Sequence, residues 1–234
     1  MTSKAIVTAV ASVALAGGAL VVVSAPASSA APGCQYPANI VTTTSLRLAP
    51  STIRYGHRAT AKVRVQATGT SRKPQGQVIV TVDGQSVSRT LRGGSAAVKL
   101  PYGLSTGTYA VRARYDPSRC SRFQPSSSGV ATLHVVKSKS RAHVNVDNIK
   151  RGHRPKAKVH VRTSTGVNAK GKARVRISHR GTAYVKTVRL NGGATSVKFK
   201  NLNKVGLWSV RVNYKGTGNI RPDVGRDRFK VKRR

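Results

Sequence analysis

The feature that most constrains the fold is an internal repeat of nearly one hundred residues. The segment Ile53-Arg-Tyr-Gly56-His57-Arg58 returns as Ile149-Lys-Arg-Gly152-His153-Arg154, at an offset of 96 residues. Further along, Gly107-Thr-Tyr109-Ala-Val111 matches Gly206-Leu-Trp208-Ser-Val210 at an offset of 99. Two copies in the same order indicate that one domain has been duplicated. A chain of 234 residues has room for two domains of about 100 residues, each with its own core.

Within each copy, apolar and polar residues alternate with a period of two. In the first copy, Val63 and Val65 are separated by Arg64; in the second, Val210 and Val212 are separated by Arg211. This period predicts strands with one buried and one exposed face. About seven such strands per copy, with hairpin signals such as Asp83-Gly84, are typical of an antiparallel β-sandwich. The sequence therefore predicts an all-β chain with no helix after its N-terminal segment.

The N-terminus has the pattern of an export signal. Lys4 precedes an apolar run over residues 5–23, and small residues follow it. Cleavage is expected after Ala27 or Ala30, and the second site is preferred. An uncleaved membrane anchor is the alternative, because the run is almost long enough to span a bilayer. Cleavage would leave a mature chain without a membrane span.

The two cysteines, Cys34 and Cys120, both follow the expected cleavage site. An even number of cysteines in an exported chain predicts a disulfide bond, and only one intramolecular pairing exists. This bond would attach the N-terminal segment to the first domain. Lipidation of Cys34 is the weaker alternative, because it would leave Cys120 without a partner.

Several motifs resemble those of bacterial Ig-like repeat domains in exported actinobacterial and other surface proteins. They are Tyr55-Gly56, Pro74-Gln-Gly76, Asp83-Gly84 and the run Leu-x-x-Gly-x-Tyr-x-Val-x-x-x-Tyr that begins at Leu104. The resemblance spans residues 43–233. It implies two tandem immunoglobulin-like antiparallel β-sandwiches and an extracellular structural or adhesive role, and it implies no chemistry.

The second copy departs from this pattern at several positions: Arg151 replaces Tyr55, Ser178-His-Arg-Gly181 replaces the Asp-Gly turn, and Trp208 replaces Tyr109. Tyr109 is expected to form a tyrosine corner, and Trp208 is expected in the core. The chain is divided into a signal peptide (1–30), a first Ig-like domain (31–136), a linker (137–141) and a second Ig-like domain (142–234).

The charge is extreme and uneven. Lys and Arg number 43 against five acids, all of them Asp, for a net charge of +38. Residues 137–234 carry 28 Lys and Arg with three Asp, whereas residues 36–136 carry 14 with two. A field of this sign and size attracts anionic partners. The second domain is the stronger candidate for that contact.

Most of the candidate binding residues alternate along three strands that share one sheet in an Ig-like topology, and the last two, with Lys232, extend this set beyond the third strand. They are Arg174, Arg176, Arg211, Arg226, Arg228, Lys230, Arg233 and Arg234. A generic solvated surface would mix both signs of charge, and this one almost lacks acids. We therefore expect a positive face on the second domain.

Catalytic and metal-binding functions are disfavoured. The five Asp are scattered, and no Ser/His/Asp or phosphate-cradling motif is present. The six histidines, His57, His134, His143, His153, His160 and His179, show no tight ligand spacing. We expect no enzyme activity, no metal and no cofactor.

The sequence thus predicts a monomeric, secreted or cell-envelope-associated protein that binds anionic cell-wall polymers through its second domain. Extracellular DNA, bound without sequence specificity, is the competing ligand. Two alternatives stay open: a structural spacer whose charge serves only solubility or retention, and an adhesin that binds a protein through its loops.

Overall fold

The computed structural model describes residues 38–233, and these residues fold entirely as strands, turns and loops. Within this range there is no helix, as the alternation predicted. The strands of the first domain are β1 (Thr42–Ala49), β2 (Thr52–Arg54), β3 (Thr60–Ala67), β4 (Gly76–Val82), β5 (Gln85–Thr90), β6 (Ser95–Lys99), β7 (Gly107–Pro117), β8 (Ser126–Ser127) and β9 (Ala131–Val136). Those of the second are β10 (Ser140–Val146), β11 (Ile149–Lys150), β12 (Lys156–Thr163), β13 (Gly171–His179), β14 (Thr182–Leu190), β15 (Ala194–Lys198), β16 (Gly206–Tyr214) and β17 (Asp223–Lys232).

Each domain is a sandwich of a smaller and a larger sheet. In the first domain the smaller sheet has the order β1-β3-β6 and the larger β2-β9-β7-β4-β5, with β8 added beside β7. The second domain repeats this topology as β10-β12-β15 and β11-β17-β16-β13-β14. The short strands β2 and β11 pair in parallel with the last strand of their domain, and the other strand pairs are antiparallel. The prediction of two tandem Ig-like sandwiches is confirmed.

The alternating residues divide between core and solvent as expected. The inward residues form two separate clusters, one in each domain. In the larger sheet of the second domain, Val175 and Ile177 are fully buried while Arg174 and Arg176 between and beside them are exposed. Burial of apolar side chains from both sheets supplies the main driving force for each sandwich.

The hairpin between β4 and β5 turns on Asp83 and Gly84, whose φ angles are 49° and 71°. Two consecutive positive φ values are those of a two-residue turn of type I′. The second domain lacks the Asp-Gly pair, yet Arg180 and Gly181 adopt φ of 40° and 78° at the same place. Glycine at the second position is enough to keep the turn, because only one residue with a side chain must then enter the left-handed region.

The segment expected as a linker takes part in the second domain. Ser140 and Arg141 begin β10, and Ser138 is fully buried. Ser138 N donates to the Asn219 carbonyl at 3.0 Å, and the Ser138 carbonyl accepts from Arg221 N at 2.9 Å. The chain therefore passes from β9 to β10 as a hydrogen-bonded connection.

The N-terminal residues that the structure describes lie against the loop that carries Cys120. Ile40 forms a parallel bridge with Phe123, and both Asn39 N and Ile40 N donate to the Arg122 carbonyl, at 2.9 and 2.8 Å. Cys34, like the expected signal peptide and its cleavage site, lies outside the described residues. The disulfide between Cys34 and Cys120 stays a prediction.

Candidate polyanion interface

The larger sheet of the second domain brings the basic residues of three strands onto one outer face. Its strands β13, β16 and β17 are direct neighbours, and their outward positions are aligned by the register of the ladders. Arg176 lies opposite Arg211, and Arg211 lies opposite Arg226. Since neighbouring strands are about 4.8 Å apart, the three guanidinium groups start from adjacent points in one row across the sheet.

The other candidate residues surround this row, which we call the arginine row (Arg176, Arg211, Arg226). Arg174 pairs with Asn213, Arg228 pairs with Ser209, and Lys230 pairs with Leu207. Arg233 follows β17 and is exposed. Arg234 lies outside the described residues. The outer face of this sheet is therefore built by six of the eight residues that the sequence singled out.

Further cations extend the face, and sequence reasoning missed those on β11, β13 and β14. Lys172 lies opposite Arg189 on β14, and Lys150 on β11 lies opposite Lys232. Their alternation with apolar neighbours was visible in the sequence. Their place on this face depends on which strands flank β13 and β17, which a sequence pattern does not give.

A shallow depression lies at the centre of the face. It is lined by the arginine row together with Arg228, Ser178, Ser209, Val210 and Asp227. Within residues 38–233, the side chains of the arginine row and Arg228 make no hydrogen bond and no ion pair. Like charges on directly opposed strand positions repel one another, so this arrangement destabilises the sheet unless an anion binds there.

The acids of the second domain are turned away from this face. Asp223 accepts a hydrogen bond from Ala142 N at 2.7 Å, and Asp227 accepts one from Val146 N at 3.1 Å. Both donors belong to β10, on the inner side of β17. The third acid, Asp147, pairs with Lys158 at 3.2 Å, in the one salt bridge found among the described residues. The carboxylates thus serve the fold and leave the charge of the outer face uncompensated.

The matching face of the first domain is much less basic. Arg112 occupies the position of Arg211, but it lies opposite Thr81, and Arg114 lies opposite Ile79. Asp116 is on the same face, opposite Gln77, whose amide donates to its carboxylate at 3.3 Å. The first domain therefore offers a natural control surface, with the same backbone arrangement but with both basic and acidic side chains.

Tyr109 and Trp208 occupy equivalent positions and make equivalent bonds. The Tyr109 hydroxyl donates to the Ser105 carbonyl at 2.9 Å, and Trp208 Nε1 donates to the Lys204 carbonyl at 3.1 Å. Each side chain thus fastens the carbonyl four residues earlier. Trp208 is 1% exposed and stacks on His179 with ring centroids 5.2 Å apart. The predicted tyrosine corner and the core position of Trp208 are both confirmed.

Two buried tyrosines also bond to backbone carbonyls. The Tyr115 hydroxyl donates to Gln75 O and the Tyr214 hydroxyl donates to Lys170 O. Burial, with a smaller contribution from the charge of Asp116, raises the pKa of Tyr115 to about 12. Burial likewise raises the pKa of Tyr214 above its usual value. These shifts follow from loss of solvation in the core and mark a structural role.

The histidines show one juxtaposition that sequence spacing does not reveal. His143 on β10 lies directly opposite His160 on β12. No group of three or more His, Cys, Asp or Glu side chains that could hold a metal ion occurs in the described part of the chain. In the same part, no helix is long and apolar enough to cross a membrane.

Comparison with solved structures returns tandem β-sandwich proteins. The fibronectin(III)-like modules of Clostridium thermocellum CbhA are 15% identical, with 82% of this chain and 95% of that chain covered and a TM-score of 0.31. The titin domains z1z2 are 12% identical over 82% and 97% of the two chains, with a TM-score of 0.44. The Yersinia pseudotuberculosis adhesin InvE is 14% identical over 83% and 60%, with a TM-score of 0.36. Similarity at this level transfers no ligand or partner.

A comparison with family models finds a family to which part of the chain is similar. No curated protein sequence matches the chain. The family model described as bacterial Ig-like domain (group 3) matches residues 46–136, which comprise most of the first sandwich. Such domains are often extracellular or surface-exposed and are typically non-catalytic. The first domain of this chain is thus similar to the bacterial Ig-like domains of group 3, and the match covers less than half of the chain.

Proposed function

We propose that this chain is a secreted or cell-surface, non-catalytic Ig-like protein that binds anionic cell-envelope polymers through the outer face of its second domain. The observation that supports this most is the arginine row, where three guanidinium groups lie side by side and form no ion pair with a described residue. Arginine presents a planar set of donors that matches phosphate and carboxylate oxygens, so a row of them suits a polymer with repeated negative charges.

The proposal also agrees with the export signal predicted for residues 1–30, which would place the protein beside wall polymers. The sheet carries few exposed aromatic side chains on which bases could stack, so single-stranded nucleic acid is a poor fit. Binding of this kind releases counterions, and its affinity falls linearly with salt on a double logarithmic plot.

The test is a binding titration of the mature chain (residues 31–234) with purified cell walls, before and after extraction of their anionic polymers, over a range of salt concentrations. We expect saturable binding that requires the polymers. The variant R176Q/R211Q removes two members of the arginine row. It should lower the magnitude of the salt slope by about 2, because each phosphate contact contributes about one unit.

The matched control is R112Q/R114Q, which removes the same charge from the equivalent face of the first domain. If both double variants weaken binding equally, net charge and not the arginine row determines it. Equal affinity for double-stranded DNA would reduce the function to capture of any polyanion. Absence of binding at physiological salt would contradict the proposal and favour the spacer or the protein-binding adhesin.

A further inference from the structure

The first domain contains a basic groove where the edge of its larger sheet meets the outer face of its smaller sheet. We call it the domain 1 groove, and its cations are Arg47, Lys62, Arg64, Arg89 and Arg92. Arg47 and Lys62 are direct neighbours on β1 and β3. Arg64 follows two residues later on β3, about 6.7 Å along the strand. Arg89 lies on β5 and Arg92 in the turn that follows, so the cations come from both sheets.

Arg89 has an unusual place in its strand. On β5, Val87 lies opposite Val80 and packs against the core. Arg89 is two residues further along and lies opposite Val78, so its side chain starts on the same inward side of the strand, yet it is exposed. An inward position at a free sheet edge is open on one side. The guanidinium therefore leaves the sandwich at the edge and lines the groove.

The turn after β5 fixes Arg92. Arg92 N donates to Ser95 O at 2.8 Å, and Ser95 N donates to Arg92 O at 3.1 Å, which closes a two-residue turn. Gly93 and Gly94 have φ of 59° and 77°. A Cβ atom on Gly94 would lie 2.9 Å from the Val65 carbonyl oxygen, so this backbone is packed against β3. The turn holds Arg92 in position beside the smaller sheet.

The groove contains no acid and its cations are unpaired. Among the described residues, the five cationic side chains make no hydrogen bond or ion pair, and the lining includes no Asp. The hydroxyl groups of Thr90 and Ser95 also line it. Hydroxyl donors between guanidinium groups are the complement of an anion with several oxygens.

The second domain shows that the fold does not require these charges. The second domain has the same strand pairings, so each cation of the domain 1 groove has an equivalent position there. In the order Arg47, Lys62, Arg64, Arg89 and Arg92, the equivalents are Asn145, Lys158, His160, Val188 and Asn191. Lys158 there is neutralised by Asp147 at 3.2 Å. The domain with twice as many Lys and Arg residues thus keeps one paired cation at this place. The five cations are therefore concentrated at this place in the less basic of the two domains, so the overall charge of the chain does not explain them.

We infer that the domain 1 groove is a binding site for a single extended strand of a phosphate polymer. Its floor spans the three strands of the smaller sheet, about 10 Å, which is enough width for one extended polymer strand. Four of its five cations are arginines, which suits bidentate contacts to phosphate oxygens. This site is separate from the arginine row of the second domain, and its test does not depend on wall binding.

The probe is inorganic tripolyphosphate, added to the mature chain labelled for NMR. We expect saturable amide shift changes at residues 45–47, 62–64 and 89–97, which no other surface of the first domain should show. The variant R64Q/R89Q removes one arginine from the floor of the groove and one from the edge of the larger sheet. It should weaken this binding about tenfold or more, because each charge-assisted contact is strong. R64K/R89K, which keeps the charge, should recover part of the affinity.

The control R112Q/R114Q removes the same charge from another face of the same domain and should leave the affinity nearly unchanged. Equal loss in both variants, or shift changes confined to the second domain, would overturn the inference. Tighter binding of trigalacturonate than of tripolyphosphate would overturn the assignment to phosphate. Binding of tripolyphosphate in the groove with no binding of cell walls would contradict the proposed function and leave this inference standing.

Discussion

At the scale of single residues, the two domains reach the same structure with different side chains. Trp208 replaces Tyr109 and an indole N–H replaces the hydroxyl, yet both donate to the carbonyl four residues earlier. Arg180 replaces Asp83 in a turn with the same signs of φ. At these places the two copies share a hydrogen bond or a backbone conformation. The residue type differs where another side chain can make the same bond or adopt the same φ.

The Trp208 bond gives a direct prediction. W208F should lower the free energy of unfolding by about 1–3 kcal/mol, because it leaves a smaller side chain in the core and no donor for the Lys204 carbonyl. W208Y should lose less, since a hydroxyl there can bond as Tyr109 does. Urea unfolding followed by circular dichroism measures both. Equal losses would mean that the bond to Lys204 contributes nothing.

At the scale of elements, β17 joins the two sheets of the second domain. Its inward side carries Asp223, Gly225 and Asp227 in alternate positions, facing β10. The carboxylates accept from Ala142 N and Val146 N, and a Cβ atom on Gly225 would lie 2.4 Å from the Ala142 carbonyl oxygen. The two acids satisfy donors at the free edge of β10, while the glycine lets the strands approach.

Replacement of these residues should therefore destabilise the second domain. We expect D227A to lower the free energy of unfolding by about 1–3 kcal/mol, because Val146 N loses a charged acceptor. D227N keeps an acceptor and should lose less. D147A is the matched control: it removes an acid from an ion pair whose side chains are 61% and 70% exposed, and should cost less than about 1 kcal/mol.

G225A extends the test to the backbone contact between β17 and β10. An added methyl group would force the strands apart, and we expect a loss larger than that of D227A. Thermal unfolding of the variants measures the order. If G225A is as stable as the native chain, β10 does not dock on β17 as closely as described.

At the scale of the whole molecule, the two domains meet through hydrogen bonds as well as through the connecting chain. Asn219 Oδ1 accepts from Thr106 N at 2.8 Å and from the Thr106 hydroxyl at 2.6 Å, and the Thr106 hydroxyl also lies 2.9 Å from Gly218 O. A Cβ atom on Gly56 would lie 2.3 Å from a methyl group of Val167 in the other domain. These contacts hold the loops at the facing ends of the two sandwiches together.

Loss of the Asn219 bonds should loosen this junction. In N219A we expect each domain to tumble faster by ¹⁵N relaxation, because Thr106 loses its acceptor across the junction. T106S keeps both the backbone donor and a hydroxyl, and it should behave like the native chain. Identical tumbling in N219A and the native chain would show that the buried Ser138 connection is sufficient by itself.

The sequence by itself determined the duplication, the strands, their inner and outer faces and the class of fold. These follow from local regularities: a period of two places Val175 inside and Arg176 outside whatever the neighbouring strand, and a glycine after Asp83 or Arg180 permits the hairpin. The three strands that would carry the basic face also followed once an Ig-like topology was assumed.

Only the tertiary structure decided which side chains are neighbours across the sheets. The arginine row depends on the register between β13, β16 and β17, which is set by the packing of the whole sheet and not by any one strand. The direction of Asp223 and Asp227 depends on β10, which lies far from them in the sequence. The domain 1 groove combines β1, β3 and β5 from two sheets, so charge counting overlooked it. Such sites exist only after the core has brought distant segments together.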